Sequence, residues 1–181
     1  VAIAGDVVTI AVARPGFPSV VLGTAPVGLD NRFSATVTIP ADLTPGCYED
    51  LDLADLVVFA GHNAAWTHPV LFRRMEAARA RGQRHVVIDP RRTDTAEVAD
   101  LHLPLAPQTD VRLWNGLLAD LIGRGAIDRD YIAAHVSGFS QVEAALAADD
   151  QSPSAVAADC GLTLADIERF FQMFAQTPRT V

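Results

Sequence analysis

The chain has 181 residues, half of them hydrophobic, which is enough for one sizeable α/β core or two small domains. Its 14 basic and 22 acidic residues leave a formal net charge of −8, which argues against a nucleic-acid partner because no basic surface is concentrated. No apolar run could cross a bilayer and no secretory signal is recognisable, so no membrane partner is expected. Cys47 and Cys160 lack metal-ligand or disulfide-scaffold spacing and are expected to be buried thiols.

Residues 1–46 carry few charges and show no helical period, which is typical of β structure. Segment 33–39 alternates apolar and polar side chains like a half-buried antiparallel strand, and segments 5–17 and 19–28 are predicted as two further strands. These residues resemble part of a bacterial immunoglobulin-like repeat, with three strands where a complete sandwich has about seven. We therefore expect a small antiparallel β segment ahead of the rest of the chain.

The rest of the chain alternates short apolar runs with helical patterns, which indicates a parallel sheet covered by helices on both faces. The runs at 56–60, 85–88 and 102–105 are predicted as its strands, the first two joined as a right-handed βαβ unit. Thr67 is predicted to cap the intervening helix. Four apolar residues should turn that helix toward the sheet: Leu71, Phe72, Met75 and Ala78.

The second half of the chain is predicted to be largely helical. Asp128 should cap one helix, and Ser140 with Glu143 should form the capping box of the next. Thr163 with Asp166 should open the last helix, and the final residues, TPRTV, resemble the start of another strand. Two of the helices carry apolar faces, formed by Leu113, Trp114, Leu117, Leu118 and Leu121, and by Ile167, Phe170, Phe171 and Phe174.

Three polar loops follow the predicted strands, at residues 60–67, 89–93 and 107–110, and we call them the first, second and third loops. In an open α/β sheet, ligands bind in the crevice outside the carboxyl ends of the strands. The loops therefore supply the candidate binding residues, which are Ala60, Gly61, His62, Asn63, Ala64, Ala65, Trp66 and Thr67, then Asp89, Pro90, Arg91, Arg92 and Thr93, and then Gln108, Thr109 and Asp110.

Each loop has a binding interpretation and a plainer one. The first loop could hold a phosphate at its free N–H groups, or Gly61 could simply reverse the chain. Asp89 could accept ribose hydroxyls or guanine N–H donors and its neighbouring arginines a pyrophosphate, or these side chains could be solvated and bond locally. Asp110 could recognise a base edge or act as a helix N-cap. His62 and His68 are either local hydrogen-bonding residues or a proton relay.

At these loops a family resemblance emerges. The runs VVFAGHNAAWTHPVLFRRM, HVVIDPRRTDT and LPLAPQTDV are similar to the second domain of the molybdopterin-guanine-dinucleotide oxidoreductases, of which the bacterial nitrate reductase catalytic subunits are members. The resemblance implies a Rossmann-like parallel sheet with flanking helices. It also implies that the first loop contacts the pterin dinucleotide and that the second and third hold its guanosine end. Gln108 takes the place of a glycine that many members of the family have.

The family's metal centres have no counterpart in this sequence. A 4Fe-4S cluster would need an N-terminal group of cysteines, and the molybdenum commonly takes a Cys, Ser or Asp side chain from elsewhere in the enzyme. We therefore predict no catalytic residue and no metal ligand in this chain. The expected domains are residues 1–46, a partial immunoglobulin-like segment, and residues 47–181, a fragment of the α/β domain.

The leading interpretation is a fragment of a nitrate-reductase-like molybdoenzyme that binds molybdopterin guanine dinucleotide, present as the molybdenum bis-dinucleotide in the full-length family. The whole enzyme would reduce nitrate by oxygen-atom transfer, in the cytoplasm if it is of the assimilatory type. Its partners would be the cofactor and the remaining enzyme domains. The alternative is a non-catalytic fusion, in which the immunoglobulin-like part is structural or adhesive.

Overall fold

The computed structural model describes residues 7–12, 20–26 and 47–181. The chain divides into two compact units, one comprising Val1–Pro45 with Asp128–Ala145 and the other Gly46–Ile127 with Leu146–Val181. All the candidate binding residues belong to the second unit. No helix in the described ranges is long and apolar enough to cross a membrane.

The described strands form two sheets. In the first unit, β1 (Val7–Val12) pairs antiparallel with β2 (Val20–Pro26), and the register shifts between Ile10 and Ala11. The strand predicted at 33–39 lies outside the described residues. In the second unit, three strands pair in parallel in the order β3-β4-β5, with bounds Leu56–Ala60, Arg84–Ile88 and Leu101–Leu103. The parallel α/β core predicted from the sequence is therefore confirmed.

Helices make up most of the remaining described residues. Their bounds are α1 Tyr48–Leu53, α2 Ala64–Thr67, α3 Pro69–Arg79, α4 Asp94–Glu97, α5 Asp110–Gly123, α6 Arg129–His135, α7 Phe139–Ala147, α8 Pro153–Cys160 and α9 Leu164–Gln176. In the first unit, Arg129 on α6 pairs with Glu143 on α7 at 2.8 Å. Asp128 caps α6 as predicted, because its carboxylate accepts from the Tyr131 N–H at 2.8 Å.

The parallel sheet buries both of its faces, because successive side chains of a strand point to opposite sides. On one face, Leu56 and Val86 pack with α5, α8 and α9; this cluster includes Leu113, Leu117, Val156, Ile167, Phe170 and Phe171. On the other face, Val57 and Phe59 pack with α3; this cluster includes Phe72, Met75 and Val87. The two clusters account for the apolar helix faces predicted from the sequence.

The last residues add to the sheet on the free side of β3. Thr180 forms a parallel bridge with Leu56, Val58 N–H donates to the Val181 carbonyl at 2.7 Å, and Val181 N–H donates to the Leu56 carbonyl at 3.0 Å. The chain thus runs from β3 outward to β5 and returns on the opposite side of β3. The strand beginning predicted for TPRTV is present as this bridge.

Several local predictions are wrong in position. Thr67 does not cap the long helix: it ends α2, and His68 is the N-cap of α3, with no side-chain bond. Ser140 lies inside α7 and donates to Gln141 Oε1 at 3.0 Å instead of capping, because the helix already begins at Phe139. The third strand occupies 101–103 instead of 102–105, since Pro104 cannot continue the ladder.

The two cysteines differ. Cys160 is fully buried, as expected, and burial raises the pKa of its thiol, so it is held in the protonated form. Cys47 was expected to be buried but is exposed, because it lies just before the start of α1, where its backbone N–H donates to the Asp50 carboxylate at 2.9 Å.

Candidate functional site

The three loops begin at the same edge of the parallel sheet. β3, β4 and β5 are parallel, so their carboxyl ends lie together. Gly61 N–H donates to the Ile88 carbonyl at 2.8 Å, which joins the first loop to the end of β4. Asp89 N–H donates to the Leu103 carbonyl at 3.3 Å, which joins the second loop to the end of β5. The structure therefore brings the first and second loops together at one edge, and the third loop follows β5 from the same edge.

The first loop leaves the sheet through Gly61, whose φ of 61° favours a residue without a side chain. Asn63 precedes α2, which is a single turn of four residues, so the dipole expected at a long helix is reduced. Within this loop Ala64 is buried, Ala60 and Thr67 are exposed, and Ala65 is partly buried. Trp66 is 73% exposed, with its indole N–H bonded to Asp94 at 2.6 Å.

His62 and His68 both bond to one hydroxyl. His62 Nε2 lies 3.2 Å and His68 Nδ1 3.1 Å from Thr67 Oγ1, which itself donates to the Asn63 carbonyl at 3.0 Å. The local hydrogen-bonding interpretation of these histidines therefore accounts for their geometry. Beside them lies a cavity of about 460 Å³ with a mostly apolar lining, which includes Val58, Phe59, Leu71, Met75 and Val181.

Asp89 is the most enclosed charged group at this edge of the sheet. It is only 2% exposed, and its Oδ1 accepts the Arg91 backbone N–H at 2.8 Å. The imidazole of His102 on β5 lies 2.8 Å from the Asp89 carbonyl oxygen, so its Nε2–H donates to it. Among the described residues, no group donates a bond to Asp89 Oδ2. The carboxylate is thus held through Oδ1 by Arg91, and the backbone carbonyl of the same residue is held by His102.

The other residues of the second loop point mostly into solvent. Arg91 is 77% exposed, with its Nε 3.4 Å from Asp89, and Arg92 is 60% exposed and paired with Glu97 at 2.9 Å. Pro90 is exposed. Thr93 is nearly buried and caps α4, because its hydroxyl accepts from the Ala96 N–H at 3.4 Å. Both arginines lie at the surface in exposed ion pairs, which are weak enough to be exchanged for an anion, whereas Thr93 is committed to capping α4.

The third loop turns at Gln108, which has a φ of 73°, a left-handed conformation that a side chain disfavours. This is the position where many members of the resembling family have glycine. Thr109, not Asp110, is the N-cap residue of α5, so the interpretation of Asp110 as the cap is wrong. Asp110 is the first helical residue and is exposed, and the Thr109 hydroxyl donates to the Ala106 carbonyl at 2.6 Å.

Two residues of this edge were missed by sequence reasoning. His102 holds the Asp89 carbonyl, and Thr95, on α4, bonds to the first loop through both Ala65 and Asn63. His102 could have been identified from the sequence, because it is a polar residue between two leucines in the short strand β5. No local pattern points to Thr95, because its partners are about thirty positions away. The described residues contain no cluster of His, Cys, Asp or Glu suited to a metal ion.

Comparison with known proteins identifies the family. Residues 17–152 match the family described as molybdopterin oxidoreductase. The chain belongs to the molybdopterin oxidoreductase family. It is 38% identical over 168 residues to a nitrate reductase of Shewanella frigidimarina, covering 88% of this chain and 18% of that protein. It is 40% identical over 170 residues to a nitrate reductase of Klebsiella oxytoca, covering 88% and 19%.

A solved structure is also similar to this chain. The structure of acetylene hydratase from Pelobacter acetylenicus aligns with a TM-score of 0.60 and 28% identity, covering 70% of this chain and 17% of that chain. The chain spans less than a fifth of the length of the curated relatives it matches. Membership of this family implies a molybdenum-pterin cofactor and other domains in the parent enzyme. The assignment to the molybdopterin oxidoreductases is thereby confirmed, whereas the immunoglobulin-like resemblance of residues 1–46 stays a prediction.

Proposed function

We propose that this chain is part of a nitrate-reductase-like molybdoenzyme and that its three loops bind the guanosine and diphosphate portions of a molybdopterin guanine dinucleotide. In this assignment the first loop meets the diphosphate and the adjoining pterin. Asp89 accepts the ribose hydroxyls, Asp110 accepts the guanine N–H donors, and Arg91 with Arg92 lies near the phosphates. The names of the relatives support nitrate as the substrate of the parent enzyme, which would reduce it by oxygen-atom transfer.

The observation that carries this proposal is the state of Asp89. This carboxylate is only 2% exposed, its Oδ1 accepts from Arg91, and its Oδ2 accepts from no described group while remaining within reach of solvent or a ligand. A ribose hydroxyl at the end of β4 would satisfy the remaining oxygen. The donor set of these loops, with two carboxylates, an amide and two guanidiniums, suits the hydroxyl, N–H and phosphate groups of a nucleotide.

Sheet topology supports the same location. The chain passes from β3 to β5 in one direction and returns at Thr180 on the other side of β3, so the strand order reverses at β3. Ligands of open α/β sheets bind outside the carboxyl ends of the strands at such a reversal. On this ground we propose that the sheet is Rossmann-like: its strands are parallel, and it binds its ligand at their carboxyl ends.

The chemistry divides between this segment and the rest of the parent enzyme. Molybdenum held by the pterin supplies the two-electron oxygen transfer when the cofactor is bound. The residues of this chain bind and orient the nucleotide end of that cofactor. A 4Fe-4S cluster, if the parent enzyme follows the resembling family, would be held by cysteines outside this sequence, since Cys160 is buried alone and Cys47 is isolated.

The alternative, a fusion with an immunoglobulin-like part at residues 1–46, stays a prediction. One boundary between the two compact units falls between Pro45 and Gly46, but the first unit also includes Asp128–Ala145 from the second predicted domain. The family match nevertheless begins at residue 17 and continues across this boundary. This overlap favours one continuous oxidoreductase segment over a fusion with an adhesive module.

Calorimetric titration of the full chain with GDP and ADP tests the nucleotide site. GDP should bind more tightly, because a carboxylate accepts the guanine N–H pair and finds no such pair on adenine. Asp110→Asn replaces an acceptor oxygen by a donor and should narrow the preference by roughly 1 to 3 kcal/mol. Asp130→Asn is the matched control, since Asp130 is also an exposed aspartate in the first turn of a helix. Equal affinities for GDP and ADP in the parent chain would refute the guanosine site.

A further inference from the structure

Thr95 links the second loop's helix to the first loop through a single hydroxyl. It is 1% exposed and lies on α4, directly beyond the second loop. Its Oγ1 accepts the Ala65 backbone N–H at 3.0 Å and donates to Asn63 Oδ1 at 2.9 Å. Both partners belong to the first loop, so a residue outside the three loops determines the conformation of one of them.

These two bonds determine the orientation of the Asn63 side-chain amide, with its oxygen toward Thr95 and its NH₂ group away from it. A threonine hydroxyl has one hydrogen, and Thr95 gives it to the amide oxygen of Asn63. The amide NH₂ must then point away from Thr95. In the part of the chain that the structure describes, this NH₂ group donates to no acceptor, although Asn63 is only partly exposed. The first loop therefore presents two amide N–H donors in a fixed direction.

The short helix α4 is itself well anchored. Thr93 caps its first turn, Thr95 and Ala96 are buried, and Asp94 accepts the Trp66 indole N–H at 2.6 Å. Asp94 and Thr95, which are adjacent on α4, thus bond to three residues of the first loop, namely Asn63, Ala65 and Trp66. Because α4 follows directly from the second loop, it sets the relative position of the two loops.

We propose that Thr95 is a positioning residue that orients the Asn63 amide so that its N–H donors meet an oxygen of the cofactor's diphosphate. This inference rests on the proposed function and adds to it the residue that prepares the first loop before the nucleotide arrives. Thr95 touches no ligand in this arrangement and acts only through Asn63 and Ala65.

The test compares Thr95→Val, which removes the hydroxyl at nearly constant volume, with Thr95→Ser, which keeps it. The full chain is titrated with GDP and with guanosine, which lacks the diphosphate, and hydrogen exchange of the Ala65 amide is followed by NMR. In Thr95→Val, GDP affinity should fall about tenfold while guanosine affinity stays at the parent value, and Ala65 exchange should accelerate about tenfold or more. Thr95→Ser should restore both parent values.

Thr163→Val is the control for a loss of stability alone. Thr163 caps α9 through its hydroxyl, far along the chain from the loops, so this variant should unfold more easily with both affinities unchanged. Equal losses of GDP and guanosine affinity in Thr95→Val, no loss at all, or failure of the serine variant to restore binding would overturn the positioning role.

The outcomes also separate this inference from the proposed function. A parent chain that binds neither GDP nor guanosine would refute the nucleotide site, and with it the orientation of Asn63 toward a diphosphate. Faster Ala65 exchange in Thr95→Val would then still establish the bond between α4 and the first loop. Unchanged Ala65 exchange would remove the basis of the inference whatever the nucleotide result.

Discussion

Gly116 on α5 lies so close to Val156 on α8 that a Cβ atom on the glycine would stand 2.5 Å from Val156 Cγ2 and 3.3 Å from the Phe171 ring. Both neighbours are fully buried, so neither has free space to move into. The two helices therefore meet closely because residue 116 has no side chain. This packing holds α8, whose Cys160 carbonyl accepts the Ala106 N–H at 2.8 Å just before the third loop.

We predict that Gly116→Ala lowers the free energy of unfolding by about 1 to 3 kcal/mol, the usual cost of adding a methyl group to a well-packed core. Gly123→Ala is the control on the same helix, because a Cβ there would have no atom within 4 Å. The control should leave stability unchanged or raise it by up to about 1 kcal/mol. Urea unfolding measures both variants, and an equally stable Gly116→Ala would show that α5 and α8 can separate freely.

The left-handed conformation of Gln108 predicts a substitution that raises stability, in contrast to Gly116→Ala. Gln108→Gly relieves the strain of a side chain at a φ of 73°, while the added freedom of the unfolded chain offsets part of the gain. The variant should be more stable by up to about 1 kcal/mol in thermal unfolding. Gln108→Val, which places a branched side chain in the same conformation, should be less stable than the parent. A glycine variant less stable than the parent would mean that the Gln108 side chain contributes more than its strain costs.

Buried His85 makes stability depend on pH. Gln83 donates to the Leu51 and Ala54 carbonyls, so its Oε1 is left to accept from His85 Nε2–H, and no described group bonds to His85 Nδ1. Burial, helped by the charge of Arg79, lowers the pKa of His85 to about 4. The folded state therefore holds the neutral ring, whereas the unfolded chain binds a proton below its ordinary pKa of about 6.5.

Stability should consequently fall as the pH drops from about 6.5 toward 4, by about 3 kcal/mol in total. Urea titrations at several pH values measure this slope. His85→Leu removes the titrating ring and should flatten the slope over that window, although the loss of the Gln83 bond will lower stability at neutral pH. His68→Gln, at an exposed histidine, is the control and should keep the parent slope. An unchanged slope in His85→Leu would assign the pH dependence to other groups.

Local signals explain which parts of the fold could be predicted. Patterns of neighbouring residues predicted strands β3 and β4 from their apolar runs. Such a pattern also predicted the Thr163 cap of α9, and each prediction was confirmed. The predictions that Thr67 and Ser140 cap helices were wrong, because a capping residue must stand just before the first residue of its helix. Here α3 starts at Pro69 and α7 one residue before Ser140.

In the candidate site, too, some features could be predicted from local sequence and others could not. Its loops follow from strand order, because parallel strands place their carboxyl ends at one edge. The bonds from Thr95 to Asn63 and from His102 to Asp89 join residues 32 and 13 positions apart, so they depend on tertiary packing that no periodicity records. The orientation of Arg91 and Arg92 into solvent was one of two interpretations that the sequence left open.

The final prediction concerns Asp89 Oδ2, to which no group in the described part of the chain donates. If it accepts a ribose hydroxyl, the parent chain should bind GDP more tightly than 2′,3′-dideoxy-GDP by about 1 to 3 kcal/mol. In Asp89→Asn, the amide oxygen can still accept the Arg91 N–H, so the fold should persist, but a neutral side chain cannot hold the diol equally well. The variant should therefore bind the two nucleotides almost equally, as measured by calorimetry, while Asp130→Asn keeps the parent difference. If Asp89→Asn retains the full preference for GDP, the ribose lies elsewhere and the buried carboxylate serves only to hold the second loop.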